Sequence, residues 1–201
     1  MYKKALAHFK SSDPILFSAA KNIEPFELSV HPEPFIRLTR SIVGQQLSVK
    51  AAATIYARLE SLFEKSIITT IGLLTLTPEK LRAAGLSYQK ISYLKDLAQK
   101  TIDGEVEFTK FGELPSEVIS EELIKIKGIG PWTAEMFLMF SLGRPDIFSY
   151  GDLGLQNGIK KLYKMKNKPT IKHMEKLSKK WSPYRTFAAM ILWRNLSNEP
   201  K

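Results

Sequence analysis

The chain has 201 residues, 44% hydrophobic and 25% charged, long enough to bury a core without covalent staples. It holds no cysteine and only three scattered histidines, which excludes disulfides, iron–sulfur clusters and thiolate nucleophiles and argues against a dedicated zinc site. The formal net charge of +10 resides in residues 158–201, which carry twelve Lys and Arg against only Glu175 and Glu199. Such asymmetry suits a polyanionic partner, nucleic acid before membrane surface, although a lysine-coated solvated helix reads the same way on composition alone.

The apolar period is helical nearly throughout. Residues 35–63 read as one long or two abutting helices, with Phe35, Leu38, Ile42, Leu47, Ala51, Ile55 and Leu59 at three- to five-residue intervals. Thr77-Pro78-Glu79 is a helix start, with Thr77 as N-cap and proline in the first turn. Gly85 ends that short helix, and Ser87 opens the next, which carries Ile91, Leu94 and Leu97 on one face. Ser116 and Ser120 are placed to cap two further short helices. Pro131 starts a strongly apolar helix through Leu142, another begins near Leu153, and Pro183 opens a last one ending near Leu196. Residues 103–115 and 165–170 are expected as loops. No βαβ alternation and no fixed-period repeat occur. The expectation is an all-α chain of about ten short helices, one domain over 1–201 or two close lobes.

No apolar run approaches the ~20 residues that span a bilayer. Met1-Tyr-Lys-Lys leads into no signal-peptide core, so a cytoplasmic location is expected, while a nuclear one stays compatible with the sequence. Lys160–Lys180 lacks the large apolar residues of a membrane-surface helix, and no membrane partner is expected.

The segment Leu123-Ile-Lys-Ile-Lys-Gly-Ile-Gly-Pro-Trp-Thr-Ala134 is the most informative stretch. Two glycines around one apolar residue turn the backbone tightly between helices, and Ile129 is placed to plug the space between them. Gly128 and Gly130 leave backbone N–H groups uncovered at the start of the next helix, where the dipole favours an anion. A phosphate can dock on such a turn without arginine. An ordinary helix–helix corner with a C-cap glycine would also use Gly-x-Gly. The full string L-x-x-I-x-G-I-G-x-W-T-A is far more specific.

At this point the sequence resembles the helix–hairpin–helix DNA glycosylases, within them the monofunctional 3-methyladenine type. Four segments carry the likeness: Ile42-Val-Gly-Gln-Gln-Leu-Ser48, Ala84-Gly-Leu-Ser-Tyr-Gln-Lys-Ile91, the string 123–134 of the hairpin that spans 123–142, and Phe148-Ser-Tyr-Gly-Asp-Leu-Gly154. A fifth, Trp181 to Trp193, is similar to the family's closing helix. The resemblance implies a two-lobed all-α fold with a cleft between lobes. With about 35 residues before the helical core, no added N-terminal β domain is expected.

The same resemblance assigns roles. Asp152, by itself an N-cap, matches the catalytic aspartate. A buried carboxylate there stabilises the positive charge that builds on deoxyribose as an N-glycosidic bond breaks, and it orients or deprotonates water. Trp132 stands where lyase relatives carry a lysine nucleophile, so no Schiff base and no strand cleavage is expected. Trp132 and Trp193 match the base pocket, where an indole face favours a cationic alkylated ring by ~0.5–2 kcal/mol. Met136 stands where some relatives place an aromatic residue. Tyr184 is a weaker candidate for the pocket, and for it and Phe187 core packing is the plainer reading.

The target base must be flipped out of the duplex. The family's wedge falls on Gly44-Gln45-Gln46-Leu47, so Gln46 or Leu47 would intercalate, while Gln45 and Gln46 could instead bridge local backbone. Lys127, Gly128, Gly130 and Thr133 are the expected hairpin contacts to DNA. The family's monovalent ion would fall on carbonyls near Ile124, Ile126 and Ile129. Double-stranded DNA with damaged bases is the expected partner, and a monomer the expected state. Two rival functions remain. One is a glycosylase for another lesion, such as hypoxanthine, ethenoadenine or an oxidised purine; the other is a non-catalytic hairpin module that only holds DNA.

Overall fold

The computed structural model describes residues 1–197. Its elements run α1 (Tyr2–Ser12), α2 (Pro14–Ala20), α3 (Pro34–Gly44), α4 (Val49–Glu60), α5 (Thr70–Thr75), α6 (Pro78–Ala83), α7 (Tyr88–Ile102), α8 (Ser116–Ile124), α9 (Pro131–Phe140), α10 (Leu153–Leu162), α11 (Ile171–Ser178) and α12 (Arg185–Ser197). Three short 3-10 turns join them, and no strand occurs among the described residues. The chain divides into two compact units, one of residues 31–137 and one of residues 1–30 with 138 onward.

In the unit of residues 31–137, α7 is the spine, packed against α3, α5 and α6. Its Ile91, Leu94, Leu97 and Ala98 are buried, as are Leu38, Ile42 and Val43 of α3. Burying each such aliphatic side chain contributes roughly 1.5–3 kcal/mol. The helix starts follow side-chain caps: Ser48, Thr69, Thr77 and Ser87 each accept a backbone N–H three residues on. Ser48 thereby settles the run 35–63 as two helices, with a turn at 45–48 between them. Residues 103–115 are mostly loop, but Phe108–Lys110 forms a 3-10 turn whose Phe108 rings with Phe35, Phe111 and Phe137.

Two expected helices near Ser116 and Ser120 are one. Pro115 precedes α8 as its N-cap residue, and Ser120 lies inside the helix, where a single serine is too weak an alternative to interrupt it.

In the other unit, α10 packs on α12, and α12 and α10 both pack on α2. Gly158 permits this, since a Cβ there would lie 3.2 Å from Leu192. Leu155 and Ile159 of α10 and Phe187, Ile191 and Leu192 of α12 are all buried. A buried hub closes the unit. Asp13 caps α2 by accepting Leu16 N–H at 3.1 Å, and its other oxygen accepts Tyr163 O–H at 2.5 Å and Trp181 Nε1–H at 2.9 Å. Burial, then the Asp13 contact, pushes the Tyr163 phenol far above its ordinary pKa.

Pro183 does not open the last helix. The peptide before it is cis, and α12 begins at Arg185. Asp146 satisfies that helix start, accepting Arg185 N–H at 3.1 Å and Arg185 Nε–H at 2.8 Å.

Candidate functional site

The site residues expected from sequence fall into two groups, one in each unit. In the unit of residues 31–137, the hairpin turn between α8 and α9 is shaped by Gly128, whose φ is +80°. The Tyr93 ring occupies the space where a Cβ would project, so conformation and packing both demand glycine. Ile129 is the buried plug that the string predicted. Gly130 faces open space where a side chain would project. Lys127 is exposed but tethered, its N–H donating to Asp96 Oδ2 at 2.8 Å and its Nζ lying 3.7 Å from Oδ1.

The turn after α3 stands against this hairpin. Gln45 Nε2 donates to the Gly128 carbonyl at 2.8 Å. The side chain expected to contact DNA thus ties two turns together, reaching across 83 residues of sequence and not to the local backbone. Gln46 sits in the left-handed region at φ 58°, exposed at the apex, and Leu47 beside it is 38% exposed. Lys90 Nζ reaches in from α7 and donates to the carbonyls of Val43 and Gln45, both at 2.7 Å. Burial holds the Lys90 ammonium below its ordinary pKa.

Gln45, Gln46, Leu47, Lys90, Tyr93, Gly128, Trp132 and Thr133 line one cavity of about 610 Å³. Trp132 is half exposed at the start of α9, too open for core filler, while Thr133 is buried behind it. Met136, one turn further along α9, is half-buried.

In the other unit, Asp152 caps α10. Its Oδ1 accepts Leu155 N–H at 2.8 Å and Trp193 Nε1–H at 2.9 Å. Gly154 makes the second contact possible: a Cβ there would lie 2.9 Å from Trp193 Nε1 and 3.0 Å from Asp152 Oδ1. The Trp193 ring lies 5.9 Å from that of Phe140. The indole edge is therefore spent on orienting the carboxylate, a role distinct from the base-stacking face expected of it. Tyr184 is half-buried and packs on His8 and Phe187, nine residues before Trp193.

The loop carrying Asp152 is braced. Asp146 takes two bonds from the Arg185 guanidinium, at 2.8 and 3.0 Å, and one from Ser182 Oγ at 2.8 Å. Burial alone would raise the Asp146 pKa, but these donors hold it below the usual carboxylate value. Sequence reading missed Lys90, Tyr93 and Asp96, although the first two lie in or beside a quoted segment. Their spacing of three was visible on α7, but their partners were not.

Residues 39–183 match the model of the HhH-GPD superfamily base excision DNA repair proteins. The chain belongs to that superfamily. Among its HhH-GPD relatives, DNA-3-methyladenine glycosylase 1 of Schizosaccharomyces pombe is 37% identical over 175 residues, covering 86% of this chain and 77% of its own. A crystal structure of a DNA-3-methyladenine glycosidase from Bacillus halodurans superposes with a TM-score of 0.89 at 39% identity, covering 96% of this chain and 89% of that one. The S. pombe 3-methyladenine glycosylase in complex with abasic DNA superposes at 0.80 with 34% identity, over 98% and 100% of the two chains. The helix–hairpin–helix family expected from the hairpin string and the wedge segment is therefore the right one.

Proposed function

We propose that this HhH-GPD protein is a monofunctional DNA glycosylase that hydrolyses the N-glycosidic bond of alkylated purines, 3-methyladenine and its relatives, in duplex DNA. The observation that carries the reading is Asp152, an oriented carboxylate fixed by Trp193 and by the first turn of α10. As the bond from C1′ to the base breaks, the base leaves with the electron pair and the sugar becomes oxocarbenium-like. The Asp152 carboxylate stabilises that charge and takes the proton of the water that adds to C1′. An alkylated purine already carries positive charge and leaves neutral, so a second acid is not required.

Trp132 offers an electron-rich face that favours a cationic ring. With tryptophan at this position and no lysine, the reaction ends at the abasic site without strand cleavage. The hairpin turn and its neighbouring wedge turn hold the duplex, and Gln46 at the apex fills the gap left by the flipped base. The carbonyls of Ile124, Ile126 and Ile129 are hard neutral oxygen donors. That donor set fits a monovalent cation, which would add positive charge beside a DNA phosphate. The protein acts as a monomer on damaged duplex DNA.

The test is incubation with methylated duplex, followed by alkali to reveal abasic sites, alongside panels carrying hypoxanthine, ethenoadenine and oxidised purines. Release of 3-methyladenine, with intact strands before alkali, is the expected result. Binding without release on every panel would make the protein a holding module. Release confined to another panel would move the lesion class.

A further inference from the structure

One face of α7 touches both DNA-facing turns of its unit. Lys90, Tyr93 and Asp96 are spaced three apart, so they neighbour one another along one side of the helix. Lys90 holds the carbonyls of Val43 and Gln45. Tyr93 packs on Gly128, and Asp96 holds Lys127 through its N–H and its ammonium. The loop closes through Gln45, whose amide donates to the Gly128 carbonyl.

Lys90 acts at a particular chemical weakness. The last turn of any helix leaves carbonyls without intrahelical partners, and α3 ends at Gly44 in front of the turn that carries Gln46. Here a cation supplied from a helix over forty residues away meets two carbonyls at that end, where the dipole also favours positive charge. Those contacts fix the Val43–Gly44 and Gln45–Gln46 peptides, one at the end of the helix and one in the turn. The chain then leaves the helix at a set angle, and Gln46 is presented in its left-handed conformation.

Resting on the glycosylase reading above, we infer that Lys90 is a positioning residue for base flipping: its ammonium sets the height and register of the Gln46–Leu47 turn against the hairpin. It contacts carbonyls of the turn and acts through Gln46. Its effect therefore belongs to the extrusion step and is absent when extrusion is unnecessary.

The experiment compares Lys90→Met and Lys90→Arg with the unaltered protein. Single-turnover base release is measured on one alkylated base, placed once in a fully paired duplex and once in an unpaired bulge. A 2-aminopurine beside the lesion reports flipping by its fluorescence. Lys90→Met keeps the apolar stem and is expected to lose about 30-fold on the paired lesion, with the fluorescence rise slowed in parallel, and to stay within about threefold on the bulge. Lys90→Arg restores donors to both carbonyls and is expected to recover most of the loss. Equal loss on both substrates, or no loss on either, overturns the inference, as does failure of arginine to rescue. If the unaltered protein releases no base from either substrate, the glycosylase reading falls and takes this inference with it. If it releases base and Lys90→Met matches it, only this inference falls.

Discussion

The two units hold their site residues by opposite means. In residues 31–137 the acceptors are mostly backbone carbonyls and their donors side chains: Lys90 onto Val43 and Gln45, Gln45 onto Gly128, with Asp96 on the Lys127 N–H as the exception. In the other unit the acceptors are carboxylates. Asp13, Asp146 and Asp152 each gather at least two donors, among them two indoles, a phenol and a guanidinium. A carbonyl tie shapes a turn and, once lost, releases a surface loop toward water. A carboxylate hub in the core leaves several buried donors unmet when it goes. Substitutions in the first unit should therefore change function at nearly constant stability. In the second they should change stability too, except where the substitute keeps the hydrogen bonds.

Asp152→Asn is that exception and the largest expected effect. Asparagine caps a helix as well as aspartate and still offers an oxygen to Leu155 N–H and Trp193 Nε1. Base release should fall at least about 10³-fold, since the charge that stabilises the transition state is gone. The melting temperature and lesion-DNA affinity should barely move, as read by calorimetry and anisotropy. Asp13→Ala comes next. It removes a cap and strands the Tyr163 hydroxyl and the Trp181 indole, at a cost of about 3 kcal/mol. For a chain of this size that is a fall of roughly 10 °C in Tm.

Trp132→Ala tests the first unit. The half-exposed ring contributes little to the fold, so Tm should hold while release of a cationic base drops about tenfold relative to a neutral one. An equal drop on both bases would remove the cation–π account. The smallest effect concerns pH. The Asp146 carboxyl lies below its unfolded value of 3.8 because Arg185 and Ser182 hold its ionised form. Its stabilisation is thus complete above that value and is lost as pH falls through the folded pKa. Denaturant midpoints at pH 5 and pH 3 should differ less for Asp146→Asn than for the unaltered protein.

Helix positions and caps were legible because they are local. Thr77 and Ser87 announce their helices within three residues, and the apolar period marks the buried faces of α3 and α7. The hairpin string was legible because glycine at 128 answers a constraint that any sequence making this turn must meet. What escaped was every tie whose partners lie far apart in the chain. Trp193 meets Asp152 across 41 residues, Lys90 meets Val43 across 47, and Asp13 meets Tyr163 across 150. Periodicity carries no record of such pairs. The internal ties of Gln45 and Trp193 went unseen for this reason: the residues were picked out, but the partners of their polar atoms lie far off in the chain. Among the lysines of residues 160–180, Lys161 is turned to the Asn195 carbonyl and most others are exposed, an arrangement that suits a solvated face and a polyanionic partner alike.

The left-handed backbone at Gln46 also bears on what the apex residue can be. Asparagine adopts that conformation more readily than glutamine does. A shorter amide would sit there at less conformational cost, but with one methylene less of length. The turn accepts a slightly uncomfortable backbone in return for a longer side chain. Any attempt to make this protein hardier by relaxing position 46 would shorten the side chain that the proposed function sends into the double helix.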